Sequence, residues 1–487
     1  MMTNLFFSNT RLFPSRRSAC HLVLAAIALT IGGCTVGPNY SPPPTTLSAA
    51  YGELGSGQPD QAAASEVRWW QRFEDRQLTS LVERAVKANN SVAVAEARLR
   101  EARAGREMVQ SLLYPQVGVG ASVLRFRASQ AALDVPDGML DLEGNLFQVG
   151  FDAVWVADVF GGIRRSVESA EASEQAVDAV RRGVVLMVAA ETARAYLELR
   201  GMQQELQVEK ATLDEQRQTL RVTEDKRRNG LSSNLEVVRA RTEVESTAAE
   251  IPPLEQAIRQ YIHVLSTLLG LEPTALSAEL EHSVPLPKTP SQLAVGIPSD
   301  LLRRRPDIQA AERQLAAATA QVGVATAQLF PQVVLGAAGG LASRETADLF
   351  NGNGTSNSST YYATGPSINW NIFDGGRRKA NIKLSEAQVD AAKASYEDTV
   401  LRAFREVESA LVAVDRARAR LEDLKRLSAS ARESTDIARR DYQAGILDQL
   451  TVLDAQRQAN RAEMLLTQGQ MSLAVNIVTL YKALGGG

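Results

Sequence analysis

With 487 residues but only 5% aromatics and abundant alanine, the chain lacks the material for two or three ordinary compact cores. Long helices packed through alanine and spaced leucine or valine make better use of that composition. A formal charge of −3 with both signs interspersed excludes the basic stripe of a nucleic-acid binder, and two cysteines exclude a disulfide framework.

In residues 1–33, Arg11, Arg16 and Arg17 precede an apolar run over 21–31 that ends in Gly32-Gly33-Cys34, the layout of a secretory signal peptide. A cysteine directly after the small residues resembles a bacterial lipobox, which would make Cys34 the lipid-modified (palmitate-bearing) first residue of the mature chain. The plain alternative is an incidental cysteine. Thr35 in place of an aspartate implies, by the lipoprotein sorting rule, export to the outer membrane. Cleavage would remove three arginines and no acids, moving the formal charge from −3 to −6. No second long apolar stretch follows, so no transmembrane helix is expected.

Residues 34–65 read as an anchored tether, with 38–61 rich in Pro, Gly, Ser and Ala. Trp69-Trp70 opens the ordered region, and 78–113 predicts two helices broken near Asn89-Asn90, the second ended by Pro115. The period then changes to two. Val117, Val119, Ala121 and Val123 alternate, as do Phe147, Val149, Phe151, Ala153 and Trp155. The pattern returns over 333–342 and, after a Ser/Asn/Gly loop at 343–360, in Tyr362, Thr364, Ile368, Trp370 and Ile372. Each run is about ten residues long, enough for a tilted strand to cross a bilayer, with aromatics near the ends of the later strand in each half. Four strands cannot close a channel, and an open edge in lipid leaves backbone groups unpaired, so strands from several copies must join. A pair of small soluble hairpins is the alternative.

Two proline-free stretches, 163–228 and 377–443, predict helices of roughly 100 Å each. Val185, Thr192, Leu199, Leu206, Leu213 and Leu220 lie on a seven-residue grid, repeated by Val400, Val407, Val414 and Leu421. Polar companions such as Glu209 and Gln216 suit a tubular helical barrel with a wet interior. Gly230 and Gly445 end the long helices, and the chain returns over 235–269 and 450–484, placing the two tips at the far end from the strands. Nearly every landmark thus occurs twice, about 215 residues apart, as in Leu113-Tyr114-Pro115-Gln116-Val117 and Leu329-Phe330-Pro331-Gln332-Val333. The expected organisation is a first repeat over 66–271, a linker over 272–298 with five prolines, and a second repeat over 299–487.

The chain resembles the outer-membrane factors of the TolC type, in the lipoprotein branch serving resistance-nodulation-division efflux. The match lies in Trp69-Trp70 with Phe73 and Asp75, in the run from Gly296 through Arg305-Pro306-Asp307 to Ile308, in Phe373-Asp374-Gly375-Gly376, in Leu453-Asp454-Ala455-Gln456-Arg457, and in Leu480-Tyr481-Lys482-Ala483-Leu484-Gly485. The resemblance implies a membrane β-barrel joined to a long α-helical barrel, a trimeric tube of tandem-duplicated protomers. Its partners would be a periplasmic adaptor and an inner-membrane pump. Its role would be an exit duct for drugs or other small solutes. A type I protein-secretion duct and a non-conducting structural lipoprotein are the alternatives.

Related factors close the periplasmic end with carboxylate and leucine rings, which map to Leu450, Asp454 and Arg457 at i, i+4 and i+7 of one helix. Asp454 could instead be a solvated residue paired with Arg457. The repeat sets Arg239 at the position of Asp454, so Arg239 or Arg241, with Tyr442 near the tip, is expected to tie the inner helices together. Gly230, Leu231, Gly445 and Ile446 form the tips and are the candidate adaptor contacts, or helix caps alone. Gly161, Gly162, Gly375 and Gly376 are expected to permit the strand-to-helix transition. Of three histidines, His21 lies in the signal peptide, and His263 and His282 have no metal-binding companions. No phosphate loop or nucleophile elbow occurs, so no catalytic residue, metal site or cofactor beyond a lipid on Cys34 is expected.

Overall fold

A computed structural model describes residues 34–44, 51–53, 68–127, 129, 143–290, 298–349 and 359–486. The expected signal peptide, much of the tether, Gly296-Ile297 and most of the 343–360 loop lie outside the described residues. In chain order the elements are α1 (Arg76–Ala88), α2 (Asn90–Gln110), β1 (Gln116–Arg127), β2 (Glu143–Ala157), α3 (Gly162–Arg228), α4 (Asn234–Leu268), α5 (Ser277–Leu280), α6 (Pro298–Arg304), α7 (Pro306–Ala327), β3 (Gln332–Ser343), α8 (Thr346–Leu349), β4 (Thr360–Asn369), α9 (Arg377–Gln443) and α10 (Gln449–Ala483). The long helices α3 and α9 have 67 residues each, and the return helices α4 and α10 have 35 each. Residues divide into two compact units, one containing 101–174 and 313–393, the other 175–312 and 394–487.

The first unit carries a four-stranded antiparallel sheet in the order β1-β2-β3-β4. Because side chains alternate along a strand, register decides each face. One row runs Val119, Phe151, Gly339, Tyr362 across the four strands. Its face also holds Val117, Val123 and Ile368, and these large apolar side chains are 66–87% exposed. The opposite face carries glycine and polar residues in its middle rows, among them Gly118, Ser122, Gln148, Asp152 and Ala338, flanked by the apolar Leu124, Phe126 and Leu146 at one end and Val154, Val156 and Val334 at the other. Its central row is Gly120, Gly150, Gly340, Tyr361.

The last strand stops earlier than its alternation predicts. β4 ends at Asn369, opposite Gln332, so Trp370 and Ile372 lie beyond it. Trp370 instead donates its indole N–H to Leu329 O at 3.0 Å, and Trp155 donates to Leu113 O at 3.0 Å. Asp158 and Asp374 likewise occupy matching places: each accepts backbone N–H groups of the following long helix and pairs with an arginine of it, Arg164 at 3.2 Å and Arg378 at 2.7 Å. Carboxylates suit these helix N-termini. Gly161, Gly375 and Gly376 have positive φ as expected, but Gly162 is the first residue of α3 and does not.

The start of the expected tether is docked. Val36 N–H donates to Phe160 O at 3.3 Å. The buried Arg165 guanidinium donates to Val36 O at 3.1 Å and to Asn39 Oδ1 at 2.7 Å. Gly37 has φ +88°, and a Cβ there would sit 2.5 Å from Gly323 Cα. The start of the expected tether is thus held by hydrogen bonds to a buried arginine.

The second unit holds the main core, with Trp69, Phe73, Leu78, Leu81, Ile262, Leu265 and Leu480 at most 1% exposed. Trp69 stacks on Tyr481 with centroids 5.5 Å apart. The heptad grid faces inward: Leu199, Leu213, Val400, Val407, Val414 and Leu421 are buried, and Thr192 satisfies its hydroxyl on Val188 O at 2.8 Å. Gln216, expected toward a wet interior, is buried, and Glu209 is half-buried.

Each return helix ends on a side chain from the opening helical segment of its half. Asn89 donates to Leu268 O at 2.8 Å, capping α4. Arg305 donates to Ala483 O at 2.9 Å at the end of α10, while bridging Asp307 and Glu406 at 2.7 Å each.

Candidate gate and helix tips

Both tips are built alike. After α3, Leu231 N–H reaches back to Lys226 O at 2.8 Å and Gly230 N–H to Arg227 O at 2.9 Å. After α9, Ile446 N–H bonds Asp441 O at 2.9 Å and Gly445 N–H bonds Tyr442 O at 3.1 Å. This Schellman pattern requires a left-handed residue, and Gly230 and Gly445 have φ +73° and +76°. The following apolar residues project outward, Leu231 at 76% and Ile446 at 71% exposure. Side-chain caps then restart the chain: Ser233 for α4 and Asp448 for α10. Hydrogen bonds from the Thr451 hydroxyl and N–H hold the Asp448 carboxyl below the usual range, with the nearby Arg239 charge adding to the effect.

Past that cap, α10 separates two faces. Val452, Leu453, Ala455 and Gln456 are buried, while Leu450, Asp454 and Arg457 form an exposed stripe on the other side. Asp454 Oδ2 accepts from Gln458 Nε2 at 2.7 Å, and Oδ1 lies 3.8 Å from Arg457 Nη2. Both partners of that ion pair are half exposed, where such pairs contribute at most about 1 kcal/mol. The pairing with Arg457 therefore exists but leaves the Asp454 carboxylate open to solvent.

The ties around this stripe differ in partner from those expected. Arg241 pairs with Glu224 of its own hairpin at 3.5 Å and does not bridge α4 to α10. The charge of Arg239 helps lower the carboxyl of Asp448, the cap of α10. The α4–α10 ion pair is Arg457 Nε to Glu243 Oε1 at 3.8 Å. Tyr442 accepts from Lys226 Nζ at 2.8 Å with that ammonium 4.0 Å from the ring centroid, a contact between the long helices α9 and α3 and not between α4 and α10. Glu243, Lys226 and Asp448 were missed in the sequence. Only Asp448 carried a local signal, an acid with a hydroxyl residue three positions on before a helical run.

Farther along α3, Glu205 is 3% exposed and its Oε1 has no hydrogen-bond partner. Burial pushes its carboxyl above the usual range, against a weak bond from Gln468, and Glu209 adds in the same direction. An acid whose folded pKa is raised handicaps the fold once ionised. The handicap is absent below the unfolded value near 4.3 and complete above the folded one. Glu205→Gln is thus expected to raise the melting temperature by several degrees at neutral pH, a gain that disappears in melts below about pH 4.

Among the described residues no helix is long and apolar enough to cross a membrane and no His, Cys, Asp or Glu group could hold a metal. The family model described as outer membrane efflux protein matches residues 81–271 and again 297–486. Nodulation protein T of Rhizobium leguminosarum bv. viciae is 33% identical, over 96% of this chain and 93% of its own. The antibiotic efflux pump outer membrane protein ArpC of Pseudomonas putida is 32% identical over 96% and 95%. The solved outer-membrane channel OprN superposes with TM-score 0.85 at 36% identity, covering 93% of this chain and 99% of that one. The chain belongs to the outer membrane efflux protein family, and is an outer-membrane component of an efflux system and not an enzyme.

Proposed function

We propose that three copies of this chain form the exit duct of a tripartite efflux pump, gated at the periplasmic helix tips. The observation that carries this reading is the sheet. An exposed face of Val117, Val119, Phe151, Tyr362 and Ile368 is unfavourable in water and suits hydrocarbon, while the middle rows of the opposite face, with glycine, serine, glutamine and aspartate, suit a wet lumen. β1 and β4 are unpaired edges, so the barrel closes only when β4 of one copy meets β1 of the next. A non-conducting lipoprotein would have no use for such a sheet.

In this reading residues 66–271 and 299–487 are the two repeats, 272–298 is a belt segment between them, and a lipid on Cys34 adds an anchor. Gly230, Leu231, Gly445 and Ile446 present the surface an adaptor would grip. The Leu450, Asp454 and Arg457 stripes of three copies meet at the constriction, where three carboxylates favour cations. Solutes would include antibiotics, as in the name of the Pseudomonas putida relative. The test is single-channel recording in planar bilayers. Wild type should show a small cation-selective conductance, Asp454→Asn should lose most of the selectivity, and Leu450→Ala should conduct severalfold more. Unchanged selectivity and conductance in both would place the gate elsewhere.

A further inference from the structure

The gate helix α10 meets two neighbours in opposite ways. Against α9, its own hairpin partner, Val452 and Ala455 pack with Ala438 in an apolar cluster. Against α3 the seam is polar and buried. Gln449 Nε2 donates to Thr223 Oγ1 at 2.5 Å, which sets an antiparallel register, and Gln468 Nε2 to Glu205 Oε2 at 3.5 Å keeps it farther along. Stepping seven residues along each helix from the first pair brings Gln456 level with Gln216. All of Thr223, Gln449, Gln216, Gln456, Glu205 and Thr467 are at most 6% exposed.

Five of these groups each bury an atom without a partner. Gln216 Oε1, Gln449 Oε1, Gln456 Oε1, Thr467 Oγ1 and Glu205 Oε1 are buried without a hydrogen bond. A run of buried, unpaired acceptors is what native interiors avoid unless water serves them. A polar cavity of about 410 Å³ opens beside the seam, lined by Thr212, Glu215, Thr435, Arg439, Gln456 and Glu463. The duplication does not demand this polarity. At the positions matching Thr223 and Gln216, the second half has Ala438 and Ala431.

We propose that the α3–α10 seam is a hydrated joint, bridged by ordered water, which lets α10 part from α3 without breaking an apolar core. Water can follow the separating groups and satisfy them in either position, so closed and open packings stay close in free energy. The apolar contact with α9 keeps the second hairpin intact while its seam with α3 yields. This rests on the reading of the chain as a duct gated on α10.

The test replaces the two level glutamines by a side chain of similar length without hydrogen-bonding groups. Gln216→Met with Gln456→Met should leave trimers inserted and more heat-resistant, while the open probability in bilayers falls roughly tenfold. Thr467→Val, a smaller change, should move both readouts the same way. Crystallography of the wild type should show ordered water within about 3 Å of Gln216 Oε1 and Gln456 Oε1. A dry seam, or wild-type open probability in inserted methionine variants, overturns the joint. Asp454→Asn in the same bilayers separates the two ideas. Altered selectivity there, with no effect of the methionines, overturns the joint alone. An unaltered Asp454→Asn, with a lowered open probability in the methionine variant, upholds the joint and moves the constriction.

Discussion

Arg305→Ala is expected to destabilise the chain by about 3 kcal/mol, read as a lower melting temperature of the purified protein in detergent. Arg305 is 8% exposed and links the start of α7, the middle of α9 and the end of α10 through Asp307, Glu406 and Ala483 O. The acids are half exposed and water will serve them once the guanidinium is gone, so the ion pairs themselves account for little. The larger loss is the buried carbonyl at the end of α10, left without a donor, together with the space vacated by the side chain. Arg305→Lys keeps the charge but not the forked geometry, and should recover less than half. Asn89→Ala, removing the matching bond to Leu268 O and the bond Asn89 Oδ1 accepts from Ser91 N–H at the start of α2, should cost less, about 2 kcal/mol. Equal effects of Asn89→Ala and Arg305→Ala would show that the arginine acts as a cap and nothing more.

On the proposed reading of the sheet as part of a trimeric barrel, Gly340→Val should abolish insertion into the outer membrane, with heat-stable trimers absent from membrane fractions. Gly340 lies in the glycine row of the sheet, where an added Cβ would meet Gly150 Cα at 2.5 Å and run into the Val149 carbonyl. Both are backbone of the paired strand, so relief requires β2 and β3 to separate. Tyr361 lies over the same row, its hydroxyl 2.7 Å from where a Cβ on Gly150 would be, so the hollow is already filled. Gly120→Ala, with nothing within 4 Å of the added Cβ, is the matched control and should insert normally.

The long elements were legible because their signals are periodic and redundant. Seven-residue spacing with left-handed glycines bounded α3 and α9 to within a residue, and alternation found the strands. What the sequence hid depends on pairing across the fold. Nothing local marks Arg241 out from Arg239, and only the hairpin geometry pairs Arg241 with Glu224. Gln216 reads as a wet helix position until α10 is laid against it. The end of β4 was missed because alternation continues through Trp370 and Ile372, whereas pairing with β3 stops at Gln332 opposite Asn369. Composition marks 38–61 as an extended tether and carries no sign of the buried Arg165 that holds Val36, Gly37 and Asn39.

That docked segment acts as a ruler. A lipid on a free tether of some thirty residues would let the protein ride at any depth in the bilayer. With Val36 bonded to Phe160 O, only two residues separate Cys34 from a fixed point beside the end of β2, a leash of about 7 Å. On the reading that Cys34 is acylated, the acyl chains and the strand ends are set to one plane. Vertical drift of the sheet would then drag lipid out of its leaflet.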